Sequence, residues 1–384
     1  MTQPRKAVIC SQSNFATDYR IEKMRQTLTS LGYDVTLLGR SHPHDGRKAA
    51  DVVVYMRHLF WHGPLFYAEL NLRLFLRLLF GRRWDLIVSI DLDTLWACQA
   101  AARLRSIRLL WDSHELFPEV PEIANKPKVK KVWWAIQNFC VPRLRESDVA
   151  VTVCQSIADI FFERYGREFL VVRNAPLAAR AAEIARANTA AVSFPHPFTI
   201  LYQGAVNVGR GVEETIRALR QLPDCRFLVV GDGDVLASAK ALAAEVGVAD
   251  RVEFVGRVPF RDLAPYMAKS DVGIVFMQNL CLNYYYALPN RVFDFVQAGL
   301  PILGSRFPEI AAIVENQKDD YSNPLPVGLC IDDTEPDTIA RAIRQIMDAP
   351  DMVARWRGNV KHLAPRLTWE ADAEKIVKQL TVDK

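Results

Sequence analysis

Arg210 stands between two glycines in the run Gln203-Gly204-Ala205-Val206-Asn207-Val208-Gly209-Arg210-Gly211, after an apolar strand pattern and before a helical one. Gly204, Gly209 and Gly211 allow the backbone to approach an anion. The helix start offers unpaired N–H groups, and Arg210 supplies a charge that can pair bidentately. The run has neither G-x-G-x-x-G nor G-x-x-x-x-G-K-[ST] spacing, so taken alone it also describes an ordinary strand-to-helix turn with a solvated arginine. A second stretch, Leu288-Pro289-Asn290-Arg291-Val292-Phe293-Asp294, reads as a loop feeding a short helix that ends at Gly299 ahead of Pro301. With Pro289 at the helix start, Arg291 falls in the first turn, toward the same anion as Arg210. Asp294, one turn on, can accept hydrogen bonds from a vicinal diol such as that of a ribose. Cations beside a diol acceptor describe a nucleoside diphosphate site; the alternative is a surface Arg291–Asp294 ion pair worth little.

The elements that must hold these residues follow from hydrophobic periodicity. Short β-branched runs at 6–10, 34–38, 52–55, 85–90, 108–111, 149–153 and 169–172 alternate with helical patterns, which predicts a parallel, doubly wound sheet. Runs at 199–202, 226–231, 252–255, 272–276 and 301–304 repeat the plan as a second Rossmann-like unit. Between them, 174–197 is rich in Ala, has no strand pattern and closes on Pro195-His196-Pro197, as a linker or short helix would. The expected fold class is therefore α/β, with domains at 1–178 and 195–364. A helix in 365–384 is expected to cross back to the first domain. Two such domains facing one another would line a cleft with the carboxyl ends of both sheets, where open α/β sheets bind ligands.

Composition excludes several classes. A chain of 384 residues exceeds what one hydrophobic core serves, and with half its residues hydrophobic, 18 Gly and 21 Pro it is globular. Lys plus Arg number 48 against 44 Asp plus Glu, a net charge of +4, too balanced for a dedicated nucleic-acid binder. The seven cysteines are scattered without a C-x-x-C pair and read as buried thiols in a reducing cytosol. No signal peptide and no transmembrane run are expected.

Gln203-Gly204 with Arg210-Gly211, then Val230-Gly231-Asp232-Gly233, Val252-Glu253-Phe254-Val255-Gly256, and Leu288-Pro289-Asn290-Arg291 with Asp294 and Ala298-Gly299-Leu300-Pro301, resemble the donor domain of retaining GT-B glycosyltransferases of family 4. In the first half, Trp111-Asp112-Ser113-His114-Glu115 is similar to that family's aspartate-serine-histidine-glutamate segment, and Arg173-Asn174-Ala175-Pro176 to its domain-closing segment. The resemblance implies GT-B architecture and a nucleotide-sugar donor whose diphosphate meets Arg210 and Arg291 and whose ribose is held at Asp294. It departs from the family pattern where Tyr286 replaces the first of two acids and where Ala205 replaces a cation. His114, flanked by Asp112 and Glu115, is expected to hydrogen-bond a sugar hydroxyl; the plainer reading is a histidine that ties down its loop. Asn14, Asp18, Arg20 and Glu119 are acceptor-binding candidates, with a solvated loop as the alternative. Gly231-Asp232-Gly233-Asp234 reads as a tight turn.

Asp91-Leu92-Asp93 mimics a D-x-D metal motif, but Asp93 with Thr94 reads better as a helix N-cap, so no metal and no cofactor are expected. The implied reaction is retaining sugar transfer from a nucleoside diphosphate sugar to a glycan or lipid-linked hydroxyl, in bacterial polysaccharide or lipopolysaccharide assembly. A nucleotide-sugar epimerase or phosphorylase, or a noncatalytic nucleotide-sugar-binding scaffold, are the alternatives. Two readings are open for 65–80. Glu69, Arg73 and Arg77 with Arg82 and Arg83, and the lysines at 126, 128, 130 and 131 before Val132-Trp133-Trp134, suit an anionic membrane face, with the protein cytoplasmic and peripheral. Equally, the helix packs on its sheet and the lysines are solvated.

Overall fold

Aliphatic runs without polar alternation make strands buried on both faces, which is what central parallel strands require. β1 (Arg5–Ser11), β2 (Tyr33–Arg40), β3 (Val53–Met56), β4 (Leu86–Ile90), β5 (Arg108–Ser113), β6 (Val149–Thr152) and β7 (Leu170–Val171) form one parallel sheet, in the order β3-β2-β1-β4-β5-β6-β7. β1 and β4 are central, in register from Ala7 with Leu86 to Cys10 with Ser89, and all four of these β1 residues are buried. A second parallel sheet has the order β10-β9-β8-β11-β12-β13, built from β8 (Phe198–Gln203), β9 (Cys225–Val230), β10 (Val252–Gly256), β11 (Val272–Val275), β12 (Ile302–Ser305) and β13 (Gly328–Ile331). Both orders reverse direction once, between β1 and β4 and between β8 and β11, as a doubly wound sheet does.

The computed structural model describes residues 4–15, 17–40, 53–188 and 197–381. It divides into two units, Met1–Asn174 with Asp372–Lys384, and Ala175–Ala371. The division falls at Asn174, ahead of the 178–195 stretch where composition puts it, because Ala178–Asn188 is a helix of the second unit. Residues 189–196, with the expected Pro195-His196 entry, lie outside the described residues, as does the first residue of the predicted strand 52–55. β13 is not predicted: after Pro326 the β-branched Val327 and Ile331 are separated by Gly328, Leu329 and Cys330, too sparse a signal for a strand. All seven cysteines are free and buried.

In the first unit, the core centres on Trp111, which meets Phe161 and Phe169 edge-on at 5.5 Å each. A buried ion pair ties the first helix to this sheet. Arg20, in the helix Tyr19–Ser30, donates to both carboxylate oxygens of Asp112 at the end of β5, at 3.0 and 2.7 Å, and to the carbonyl of Val172 at 2.8 Å. Asp372 of the C-terminal helix Trp369–Thr381 accepts from the backbone N–H and guanidinium of Arg173, in the same unit. Burial alone would raise the Asp372 carboxyl, but Arg173 holds it below its ordinary value.

Removing one partner of a buried pair strands the other charge. Arg20→Met is expected to cost about 3–5 kcal/mol by denaturant unfolding, and Arg20→Met with Asp112→Leu to recover most of that. Additive losses in the double variant would show that the pair does not carry this stability.

Candidate functional site

The crevice beyond the carboxyl ends of the strands that flank an order reversal is where a doubly wound sheet takes its ligand. In the second unit these strands are β8 and β11, and the glycine run 204–211 leaves the end of β8. The run is laced to the turn after β9. Gly204 N donates to the Val230 carbonyl at 2.9 Å, Val206 N to that of Asp232 at 3.0 Å, and Val235 N to that of Val206 at 3.1 Å. Gly231-Asp232-Gly233-Asp234 is thus the tight turn expected, and it clamps the glycine run. Two glycines are irreplaceable by geometry. Gly211 (φ +78°) would place a Cβ 2.5 Å from that of Phe276, and Gly231 (φ +155°) would place one 1.8 Å from the Gly204 carbonyl oxygen.

Arg210 and Arg291 converge here. The Arg210 guanidinium lies over the Tyr284 ring at 4.6 Å from its centroid, and that of Arg291 over Tyr202 at 4.8 Å. Arg291 is only 6% exposed and donates to the Phe276 carbonyl at 3.1 Å and, at 3.5 Å, to that of Gln203. Burial pulls its pKa below the ordinary arginine value, Tyr202 opposes this and the charge of Arg210 adds to it, so the two guanidinium groups feel one another. Among the described residues neither has an acidic partner, and both Nε atoms are buried without a hydrogen bond. A Cβ at Gly204 would sit 3.5 Å from Arg291 Nη1, so this glycine leaves the guanidinium face open.

Pro289 is the residue before the helix Asn290–Gln297, one position earlier than expected, and Arg291 does fall in the first turn. The surface ion pair of Arg291 with Asp294 is not formed: both are buried, and Asp294 accepts from Gln203 Nε2 at 2.9 Å. Asp294 is therefore fixed by the end of β8, while Gln203 Oε1 is buried with no partner. Asn290 is exposed at the helix start. Tyr286 closes the short helix Leu282–Tyr285, half-buried and edge-on to Tyr285 at 5.0 Å. Spacing alone does not single out Tyr284, Tyr202 or Gln203, since no local rule marks a residue that braces a distant arginine.

In the first unit the ends of β4 and β5 form a second charged cluster. Asp91 has φ +57°, a left-handed conformation that Asp tolerates better than most residues. It is held there by Trp111 Nε1, which donates to its carbonyl at 3.0 Å, and by the His114 N–H, which donates to its carboxylate at 2.8 Å. His114 Nε2 lies 3.2 Å from Asp112 Oδ2, and Nδ1 lies 3.9 Å from Asp91 Oδ2. Burial lowers the His114 pKa, but the Asp91 and Asp112 carboxylates outweigh it and push it up to about 9. At neutral pH the ring is an imidazolium, which donates hydrogen bonds and cannot act as a base.

Several expectations are corrected here. The helix Asp91–Leu104 begins at Asp91 with Ile90 before it and no side-chain cap, so Asp93 is not the N-cap. Asp93 is buried with both oxygens unpartnered, and burial, then Asp91, push its carboxyl well above its ordinary value. Arg20 is consumed by Asp112, and Asp18 caps the first helix through the N–H groups of Arg20 and Ile21, so neither is placed to meet an acceptor. Glu119 is buried and accepts from Lys130 Nζ at 2.7 Å and Trp134 Nε1 at 3.1 Å, an anchor for the helix Pro127–Cys140 instead of an acceptor contact. Asn14 is half-buried and its carbonyl turns the loop by accepting from Thr17 and Asp18 N–H groups.

Two family models match the chain, Glycosyltransferase Family 4 over residues 19–175 and Glycosyl transferases group 1 over 197–349. The second covers the β8–β13 sheet and the first covers the other sheet except its central strand β1; together they take in most of the sequence. The chain belongs to the family 4 glycosyltransferases and has their GT-B fold. A stretch of 104 residues is 31% identical to the Vi polysaccharide biosynthesis protein VipC/TviE of Salmonella typhi, covering 27% of this chain and 17% of that protein. Another of 158 residues is 27% identical to the GDP-mannose-dependent alpha-(1-6)-phosphatidylinositol monomannoside mannosyltransferase of Mycolicibacterium smegmatis, covering 38% of this chain and 37% of the relative. The matched stretches thus span well under half the length of these relatives. Among solved structures, Anabaena Alr3699/HepE in complex with UDP and glucose superposes with a TM-score of 0.71 at 15% identity, covering 98% of this chain and 100% of that one.

A raised histidine pKa stabilises the folded state below the unfolded value of 6.5, and that contribution is lost as pH rises through about 9. His114→Asn is expected to lose on the order of 3 kcal/mol relative to the native chain below pH 6.5, progressively less as pH rises from 6.5 to about 9, and little above that. Unfolding free energies across that range check this, and a pH-independent gap would contradict the charged assignment.

Proposed function

We propose that this chain is a retaining glycosyltransferase that moves a sugar from a nucleoside diphosphate sugar to a hydroxyl of a glycan or lipid-linked acceptor, in bacterial polysaccharide or lipopolysaccharide assembly. The observation that carries the reading is the pair of guanidinium groups, Arg210 and Arg291, with no acidic partner among the described residues, beside a glycine run at the end of β8. An uncompensated pair of cations in a partly desolvated site calls for a doubly charged anion, and a diphosphate spans two such groups. Asp294 and Gln203, linked to each other, offer acceptor oxygens one helical turn from Arg291 for a ribose diol. The names of two relatives, polysaccharide biosynthesis in one and a GDP-mannose-dependent mannosyltransferase of a phosphatidylinositol monomannoside in another, support this reading.

In the transfer, the bond from the anomeric carbon to the diphosphate oxygen breaks while the acceptor oxygen bonds to the same face of that carbon. The acceptor proton passes to the departing phosphate. Negative charge grows on the leaving oxygen, so cations placed there favour the transition state over the ground state. This is the work a divalent metal would otherwise do, and it fits a metal-independent reaction. The His114 imidazolium donates to a sugar hydroxyl and does not abstract its proton.

Arg210→Ala is expected to lower kcat by about a hundredfold or more with an unchanged unfolding midpoint. Activity near the native rate would remove Arg210 from the reaction. Turnover measured after chelation is expected to match the untreated protein; loss on chelation and recovery with manganese would show that the cations do not suffice.

A further inference from the structure

A helix packed on a sheet needs one apolar stripe; the helix Gly63–Phe80 has two. Its inner stripe, Phe66, Leu70, Leu74 and Leu78, is buried and packs against the helix Asp91–Leu104, to which Asn71 is tied by donating to the Asp93 carbonyl at 2.8 Å and accepting from Ala97 N at 3.2 Å. On the opposite side Leu65 (59% exposed), Leu72, Leu76 and Phe80 (78% exposed) form a second stripe, extended by the exposed Leu59, Phe60 and Trp61 ahead of the helix. Trp96, also exposed, lies beside it at 6.1 Å from Phe75. So contiguous an apolar surface on a soluble fold marks an interaction site.

The charges on this face that have no oppositely charged partner among the described residues are those of Arg77 and Arg83. Its acidic residue, Glu69, is spent internally: it accepts from the Leu59 and Phe60 N–H groups at 2.9–3.0 Å and from Arg73 at 2.7 Å. Burial would raise its carboxyl, but these donors hold it well below the usual range, so Glu69 fixes the Leu59–Trp61 loop against the helix. Arg77 and Arg83 are exposed at the far end, with Arg82 between them and the sheet, over Trp84 at 4.3 Å. The Val132-Trp133-Trp134 segment contributes no exposed ring: Trp133 is buried against Tyr67 and Phe117, and Trp134 holds Glu119.

We propose that the outward face of the helix Gly63–Phe80, with the Leu59–Trp61 loop, docks on an anionic lipid bilayer. Apolar side chains enter the headgroup boundary, Trp61 sits at its polar edge, and Arg77 and Arg83 meet anionic headgroups, while Arg73 is held by Glu69 and Arg82 by Asp34. Among the described residues no helix is long and apolar enough to cross a membrane, so the helix lies on the surface. A second copy of this chain is the other natural occupant, and the basic residues at the end of the face favour an anionic surface over it. The surface stands independently of whether the chain transfers a sugar.

The full chain is expected to sediment with vesicles of phosphatidylglycerol and phosphatidylcholine and to stay in solution with phosphatidylcholine alone. Leu72→Ser with Leu76→Ser, and separately Arg77→Gln with Arg83→Gln, should each reduce the bound fraction by about tenfold. All four positions are outward, so circular dichroism and unfolding midpoints should not change. Equal binding to both vesicle types, no binding to either, or undiminished binding by both variants would overturn the proposal. So would a native dimer, by light scattering, that the Leu72/Leu76 variant converts to monomer.

Discussion

Two guanidinium groups held close together at the end of one sheet, with no acidic partner among the described residues, are the constraint on which the second unit is built. Arginine cannot shed its proton, so burial of Arg291 beside Arg210 must be offset by something other than neutralisation. The faces of Tyr202 and Tyr284 and two backbone carbonyls supply part of that offset. The rest is what the proposed diphosphate would supply. The supporting geometry follows from this: Gly211 lets the chain turn against Phe276, Gly231 lets the β9 turn clamp the glycine run, and Gly204 leaves the face of Arg291 uncovered. At Gly211 and Gly231 any side chain would collide with Phe276 or with the Gly204 carbonyl.

The first unit solves its electrostatics in the opposite way. Arg20, Asp112, His114 and Asp91 neutralise one another, and that closed network holds Asp91 in its left-handed conformation. The same end of the sheet thus offers a charged but satisfied histidine, suited to orienting a neutral hydroxyl, where the second unit offers unsatisfied cations suited to a diphosphate. The division of labour follows from which charges already have partners.

Much of this was legible in the sequence because it is local. Buried parallel strands announce themselves as aliphatic runs, and the glycine run and the Pro289–Asp294 helix start are written in consecutive residues. What was not legible is long-range pairing. Arg20 and Asp112 are 92 positions apart, and no spacing rule says that an arginine in the first helix is spent on the fifth strand. Glu119 likewise becomes an anchor only because Lys130 and Trp134 arrive from the next helix. Asp93 looked like a cap because its neighbour is a threonine, yet the helix starts two residues earlier, where Asp91 accepts the His114 N–H. The resemblance to family 4 singled out Tyr286, which composition and periodicity could not.

The central claim is that Arg210 and Arg291 wait for a diphosphate. Titration calorimetry of the full chain with UDP, GDP and ADP, each set against its nucleoside and monophosphate, tests it most directly. The account predicts that one diphosphate binds at least tenfold more tightly than its monophosphate, and that Arg210→Ala removes that preference while leaving nucleoside binding unchanged. Equal affinity for diphosphate and nucleoside, or a preference that survives loss of Arg210, would contradict it.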